Sequence, residues 1–90
     1  MKTLIFTRGT GAAQQKAICE EYAKANDLEI IGAADTEKDL TVRVLSGDVQ
    51  CVIVSNASRI SRRRDEYMQT EKMFNKFGVK LIAAESGATL

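Results

Sequence analysis

Residues 50–62 read Q-C-V-I-V-S-N-A-S-R-I-S-R, and the fold turns on how this stretch is read. Gln50 to Val54 is a continuous apolar run with no polar alternation, as expected of a strand covered on both faces inside a parallel sheet. A loop of hydroxyls and arginines follows at once. Four of the six arginines lie between residues 59 and 64, although the net charge of the 90-residue chain is only +1. A solvated helix start and a phosphate site are both open readings of that cluster.

The flanking segments alternate in type. Arg63 to Phe77 has helical spacing, with Tyr67, Thr70, Phe74 and Phe77 on one stripe, and Gly78 is placed to cap its C-terminus. Val79 to Ala83 reads as the next strand. On the N-terminal side, residues 36–48 form a short helix or turn around Leu40, Val42, Val44 and Leu45, preceded by a strand over Leu28 to Ala33. Ala12 to Asn26 is helical, with Ile18, Tyr22 and Ala25 facing inward opposite Lys16, Glu20 and Lys24. The first strand, Lys2 to Phe6, breaks at T-R-G-T-G, residues 7–11. This alternation predicts an α/β domain: a mainly parallel four-stranded sheet of order 2-1-3-4 with helices on both faces. No repeat, linker or low-complexity tract interrupts residues 1–90, so the expectation is a single domain.

Composition removes several kinds of chemistry. With no histidine, a Ser-His-Asp triad and histidine metal ligation are excluded. The two cysteines, Cys19 and Cys51, lie apart in apolar-patterned segments and read as buried free thiols. No metal and no cofactor is expected. No apolar run approaches the ~20 residues of a membrane span, and the N-terminus turns polar too early for a signal peptide. The expectation is a cytoplasmic protein with no membrane contact.

In an open α/β sheet, ligands gather at the carboxyl ends of the strands. The first strand runs into Thr7-Arg8-Gly9-Thr10-Gly11 and a helix N-terminus, and the third into Ser55-Asn56-Ala57-Ser58-Arg59-Ile60-Ser61-Arg62. If the two strands are neighbours, both loops face one site that combines hydroxyls, arginines and the positive end of a helix dipole. That combination suits phosphate. The G-T-G turn by itself is a weak signal: it lacks the lysine of a P-loop, and Gln14 stands where a dinucleotide fingerprint has its third glycine. Arg62, Arg63 and Arg64 fall at a helix start, where cations oppose the macrodipole by a few tenths of a kcal/mol each.

Four segments carry a resemblance. Phe6-Thr7-Arg8-Gly9-Thr10-Gly11, Gln15-Lys16-Ala17-Ile18-Cys19-Glu20-Glu21-Tyr22-Ala23, Ala57-Ser58-Arg59-Ile60-Ser61-Arg62 and Gly78-Val79-Lys80-Leu81 follow one another in the order of the N-terminal catalytic domain of serine recombinases. The chain resembles that resolvase and invertase family over nearly its whole length. The resemblance implies a three-layer resolvase-like domain that cleaves and exchanges DNA strands through a covalent hydroxyl–phosphate link. It places Thr10 at the nucleophile position and assigns the phosphate to Arg8, Arg59 and Arg62, with Gln15 ordering the site. Arg63 and Arg64 would add contacts to DNA phosphates. DNA would be held by its backbone, without base readout, and no metal or cofactor is implied.

The sequence also departs from the family pattern. Threonine replaces the serine nucleophile, which adds a methyl and stiffens χ1. Ser58 replaces an aspartate, and the stretch between Asp35 and Gln50 is short, leaving Arg43 as a stand-in for a further family arginine. The long dimerisation helix and the helix-turn-helix are expected to be lacking, and a homo-oligomer is expected where a full-length protein carries that helix. Two functions stay open: a recombinase catalytic domain with impaired chemistry, or an inactive relative that keeps the phosphate clamp as a binding or regulatory protein. A small-molecule phosphate binder with a flavodoxin-like sheet is a third.

Overall fold

A computed structural model of the chain describes residues 1–56, 59 and 63–89; Ser58 and Arg62 lie outside the described residues. The chain runs β1 (Lys2–Phe6), α1 (Ala12–Ala25), β2 (Glu29–Ala34), α2 (Glu37–Leu45), β3 (Cys51–Val54), α3 (Arg64–Lys76), β4 (Lys80–Ala83) and β5 (Ala88–Thr89). The strands form one sheet of order β2-β1-β3-β4-β5, with the first four parallel. The 2-1-3-4 order read from the sequence is therefore present. The short β5, antiparallel to β4, adds an edge that the sequence pattern did not reveal.

The apolar run at β3 is central, and all four of its residues are buried. Thr3 pairs with Cys51, Leu4 with Val52 and Ile5 with Ile53, so β1 and β3 end side by side at Phe6 and Val54. Alternation along the strands builds two cores. Leu4, Phe6, Val52, Val54 and Leu81 meet Leu40 and Val44 of α2 and Phe74 of α3 on one face. On the other, Ile5, Cys51, Ile53 and Ile82 meet Cys19 of α1. Fully burying one such aliphatic or aromatic side chain contributes about 1.5–3 kcal/mol, so both faces of the sheet are committed to helices.

The helices differ from the sequence reading in phase rather than place. α1 buries Gln15, Cys19 and Ala23, one position round from the expected Ile18, Tyr22, Ala25 stripe. The small Cys19 and Ala23 let the helix lie close to the sheet, while Ile18 and Tyr22 flank the contact. α2 is a true nine-residue helix: Thr36 Oγ1 accepts from the Asp39 N–H at 3.1 Å, a side-chain N-cap. It buries Leu40 and Val44, whereas Val42 and Leu45, placed in the core by the sequence reading, are exposed. Phe77 is likewise exposed at the end of α3, and Phe74 anchors that helix. Among the described residues, no helix is long and apolar enough to cross a membrane.

Candidate functional site

The T-R-G-T-G turn carries the chain from the end of β1 onto α1. Gly9 and Gly11 have φ of 77° and 76°, in the left-handed region where a β-carbon is strained. Gly11 is the N-cap residue of α1 and no side-chain oxygen caps it. The first-turn N–H groups thus keep the unsatisfied donors common to helix N-termini. Gln15 fixes the turn from below. It is only 3% exposed, and its Nε2 donates to the carbonyls of Arg8 (2.9 Å) and Thr10 (3.0 Å). Its Oε1 accepts from the Arg8 N–H at 3.0 Å.

Between this turn and the ends of β3 and β4 lies a cleft of about 340 Å³, lined by Thr10, Gly11 and Gln15 on one side and Ser55, Arg59 and Glu85 on the other. The adjacency of β1 and β3 therefore brings Thr10 and Arg59 to one cavity. Arg59 extends beneath the turn, where its Nη1 lies 3.4 Å from the Arg8 carbonyl. A β-carbon at Gly9 would make only ordinary contact with the same nitrogen, at 3.9 Å, so it is the positive φ and not space that favours glycine there. Two buried polar atoms of residues that line the cleft have no hydrogen-bond partner among the described residues: Arg59 Nε and Ser55 Oγ. Leaving a buried polar group unpaired costs about 1–3 kcal/mol, so these two atoms stand out in the wall of the cleft.

The other sequence candidates are distributed differently. The backbone of Arg8 belongs to the turn, but its guanidinium leaves the cleft and pairs with Glu37 at the start of α2 (2.6 Å). Both side chains are about half exposed, at 43% and 56%, so the pair contributes under about 1 kcal/mol. Arg63 stands at the N-cap position of α3, 3.6 Å from Asp65 and 3.7 Å from Glu66. Those first-turn acids suit the helix dipole, which gives Arg63 a local partner independent of any ligand. Arg64 is exposed on the first turn of α3. Arg43 lies over β2, where a β-carbon on Gly32 would come within 3.0 Å of its Nη2, and it takes no part in lining the cleft.

Sequence reasoning placed Ser55 in the β3 loop without singling it out, and missed Glu85. Glu85 lies two residues past the end of β4, so the rule that located the other loops also covers it. The Glu85 N–H donates to the Ser55 carbonyl at 3.0 Å and ties the two ends together. Both cysteines are buried and free, as the sequence indicated. Burial, with Glu20 and Glu85 adding, pushes the Cys19 thiol up to about 11, and burial raises Cys51 as well, so neither is a nucleophile near neutral pH.

No family model and no curated protein sequence matches the chain. Solved structures do. The N-terminal catalytic domain of TP901-1 integrase superposes with a TM-score of 0.87 at 19% identity, covering 99% of this chain and 81% of that one. A resolvase family site-specific recombinase from Streptococcus pneumoniae gives 0.86 at 21% identity, over 99% and 75%. The C-terminal catalytic domain of ISC1926 TnpA, an IS607-like serine recombinase, gives 0.81 at 18% identity, over 90% and 68%. At these identities the likeness is one of fold, and the fold of this chain is that of the serine recombinase catalytic domain.

Proposed function

We propose that the chain is a serine-recombinase-type catalytic domain that grips a DNA backbone phosphate in the cleft between α1 and the end of β3, with its strand-cleaving chemistry impaired. The observation that carries this reading is the meeting of Thr10, Ser55 and Arg59 with the N-terminus of α1, which no side chain caps, around one cleft. A phosphate in the cleft would have its charge stabilised by the helix dipole and the Arg59 guanidinium. In the reaction, Thr10 Oγ1 bonds to phosphorus as the bond to the 3′ oxygen breaks. The threonine proton is lost and the departing 3′ oxygen gains one. Catalysis of this kind is positioning and electrostatics, in which Arg59 and Arg62 neutralise the growing charge.

One observation favours a second reading, binding without cleavage. Arg8 is turned toward Glu37 instead of the cleft, which leaves the phosphate one guanidinium short.

Fluorescence anisotropy with a labelled duplex tests the binding step. Arg59→Met and Ser55→Ala should weaken binding several-fold at 50 mM salt. Lys72→Ala and Lys76→Ala, on α3, should leave it within twofold. Affinity should fall steeply with salt, as backbone contacts demand. Equal losses from the two groups would reduce the arginines to a solvated face.

A further inference from the structure

Glu85 is the one carboxylate, and Arg59 the one guanidinium, among the described residues lining the cleft. Glu85 is held there by groups other than that arginine. Its backbone N–H is bonded to Ser55, and its Oε2 accepts from Asn56 Nδ2 at 3.4 Å. Among the described residues, no ion pair joins it to Arg59. The cleft that brings Arg59 to the N-terminus of α1 therefore also carries an exposed negative charge on its wall.

The effect of that charge depends on the guest. Attraction to Arg59 and repulsion from Glu85 both grow in proportion to the guest's charge and act in opposite directions. The desolvation penalty grows faster, roughly as the square of the charge in a Born picture. A doubly charged guest thus has its gain from Arg59 reduced by Glu85 and loses more hydration than a singly charged one. We infer that Glu85 is the specificity-determining residue of the cleft: it admits a singly charged, diester-type oxyanion and disfavours a doubly charged, monoester-type one. Free phosphomonoester ends are thereby kept from competing for the site. This rests on the phosphate reading above.

The test uses the whole chain and two probes with the same base. Thymidylyl-3′,5′-thymidine carries one diester charge, and thymidine 5′-monophosphate at pH 8 is almost wholly dianionic, its second pKa being about 6. Amide shifts of Gly11 and Ser55 report binding. The wild-type chain should hold the diester more tightly. Glu85→Gln, isosteric and exposed, should raise diester affinity about threefold and monoester affinity about tenfold, the second gain near the square of the first because the repulsion doubles with charge. Glu85→Asp, which keeps the charge, should preserve the wild-type preference. Equal gains, no gain or a loss for both probes in Glu85→Gln would overturn the role of Glu85 and leave the phosphate site standing. Failure of both probes to move Gly11 and Ser55 in either protein would overturn the phosphate site itself, and this inference with it.

Discussion

Gln15 holds Arg8 by both ends of its main chain, donating to its carbonyl at 2.9 Å and accepting from its N–H at 3.0 Å. One side-chain amide thereby imitates a strand partner beyond the last residue of β1. The turn that presents Thr10 is welded to the first helical turn of α1, and a third bond, to the Thr10 carbonyl at 3.0 Å, sets where that residue stands. The side chain is buried, so water does not substitute for it.

Replacing Gln15 with leucine removes all three bonds at similar volume and leaves an N–H and two carbonyls without their partner. The expected loss is about 2–3 kcal/mol of folding stability. A urea titration should show the midpoint falling with an unchanged slope, because the fold survives and only its stability drops. A loss below about 0.5 kcal/mol would mean that solvent reaches the turn.

The buried thiols predict a stability loss on the alkaline side. Cys19 binds its proton more tightly when folded, with its pKa near 11 against an ordinary value of 9.0, and Cys51 and Tyr67 are shifted the same way by burial. Raised folded-state values stabilise fully below the unfolded pKa, and that contribution is lost as pH climbs through the folded one. For Cys19 alone the change is roughly 2–3 kcal/mol, spread between about pH 9 and 11. Melting temperatures across that range should fall, and Cys19→Ala should flatten the fall. At pH 8, native Cys19 and Cys51 should resist a thiol reagent that labels both at once in denaturant.

Thr10 and Ser58 predict a conditional gain of chemistry. On a nicked suicide DNA substrate, with the chain fused to a dimerising partner domain, the wild-type sequence should form little covalent adduct. Each ~1.4 kcal/mol that the added methyl and the missing carboxylate place on the barrier is about a tenfold loss in rate. Thr10→Ser combined with Ser58→Asp should raise the adduct by at least tenfold. Robust adduct from the unaltered chain would end the claim of impairment. No adduct from the double variant, with DNA binding intact, would show that other groups silence the reaction.

The sheet was legible because β3 is a run that only a two-sided strand explains, and because Gly11 and Gly78 mark where helices begin and end. Helix phase was not. Alternation of polar and apolar residues cannot reveal that the buried face of α1 includes a glutamine, since Gln15 is buried for its hydrogen bonds. Val42 and Leu45 misled for the converse reason: apolar residues on a short helix over an edge strand need not all find cover. The meeting of Thr10 with Arg59 followed from strand order alone. The direction of Arg8 did not, because Glu37, which draws it away, lies 29 positions along the chain on a segment with little pattern of its own. Glu85 was hidden by ordinariness, one carboxylate among many until the sheet set it beside a cavity, and Ser55 was one hydroxyl of a loop that held several.

The most direct test of the phosphate site is a crystal structure of the chain with a short DNA duplex. A backbone phosphate should sit in the cleft with an oxygen within about 3 Å of the Arg59 guanidinium, the range of a charge-assisted hydrogen bond. Thr10 Oγ1 should be the nearest hydroxyl to that phosphorus. An empty cleft with DNA lying instead along Lys72 and Lys76 of α3 would contradict the account.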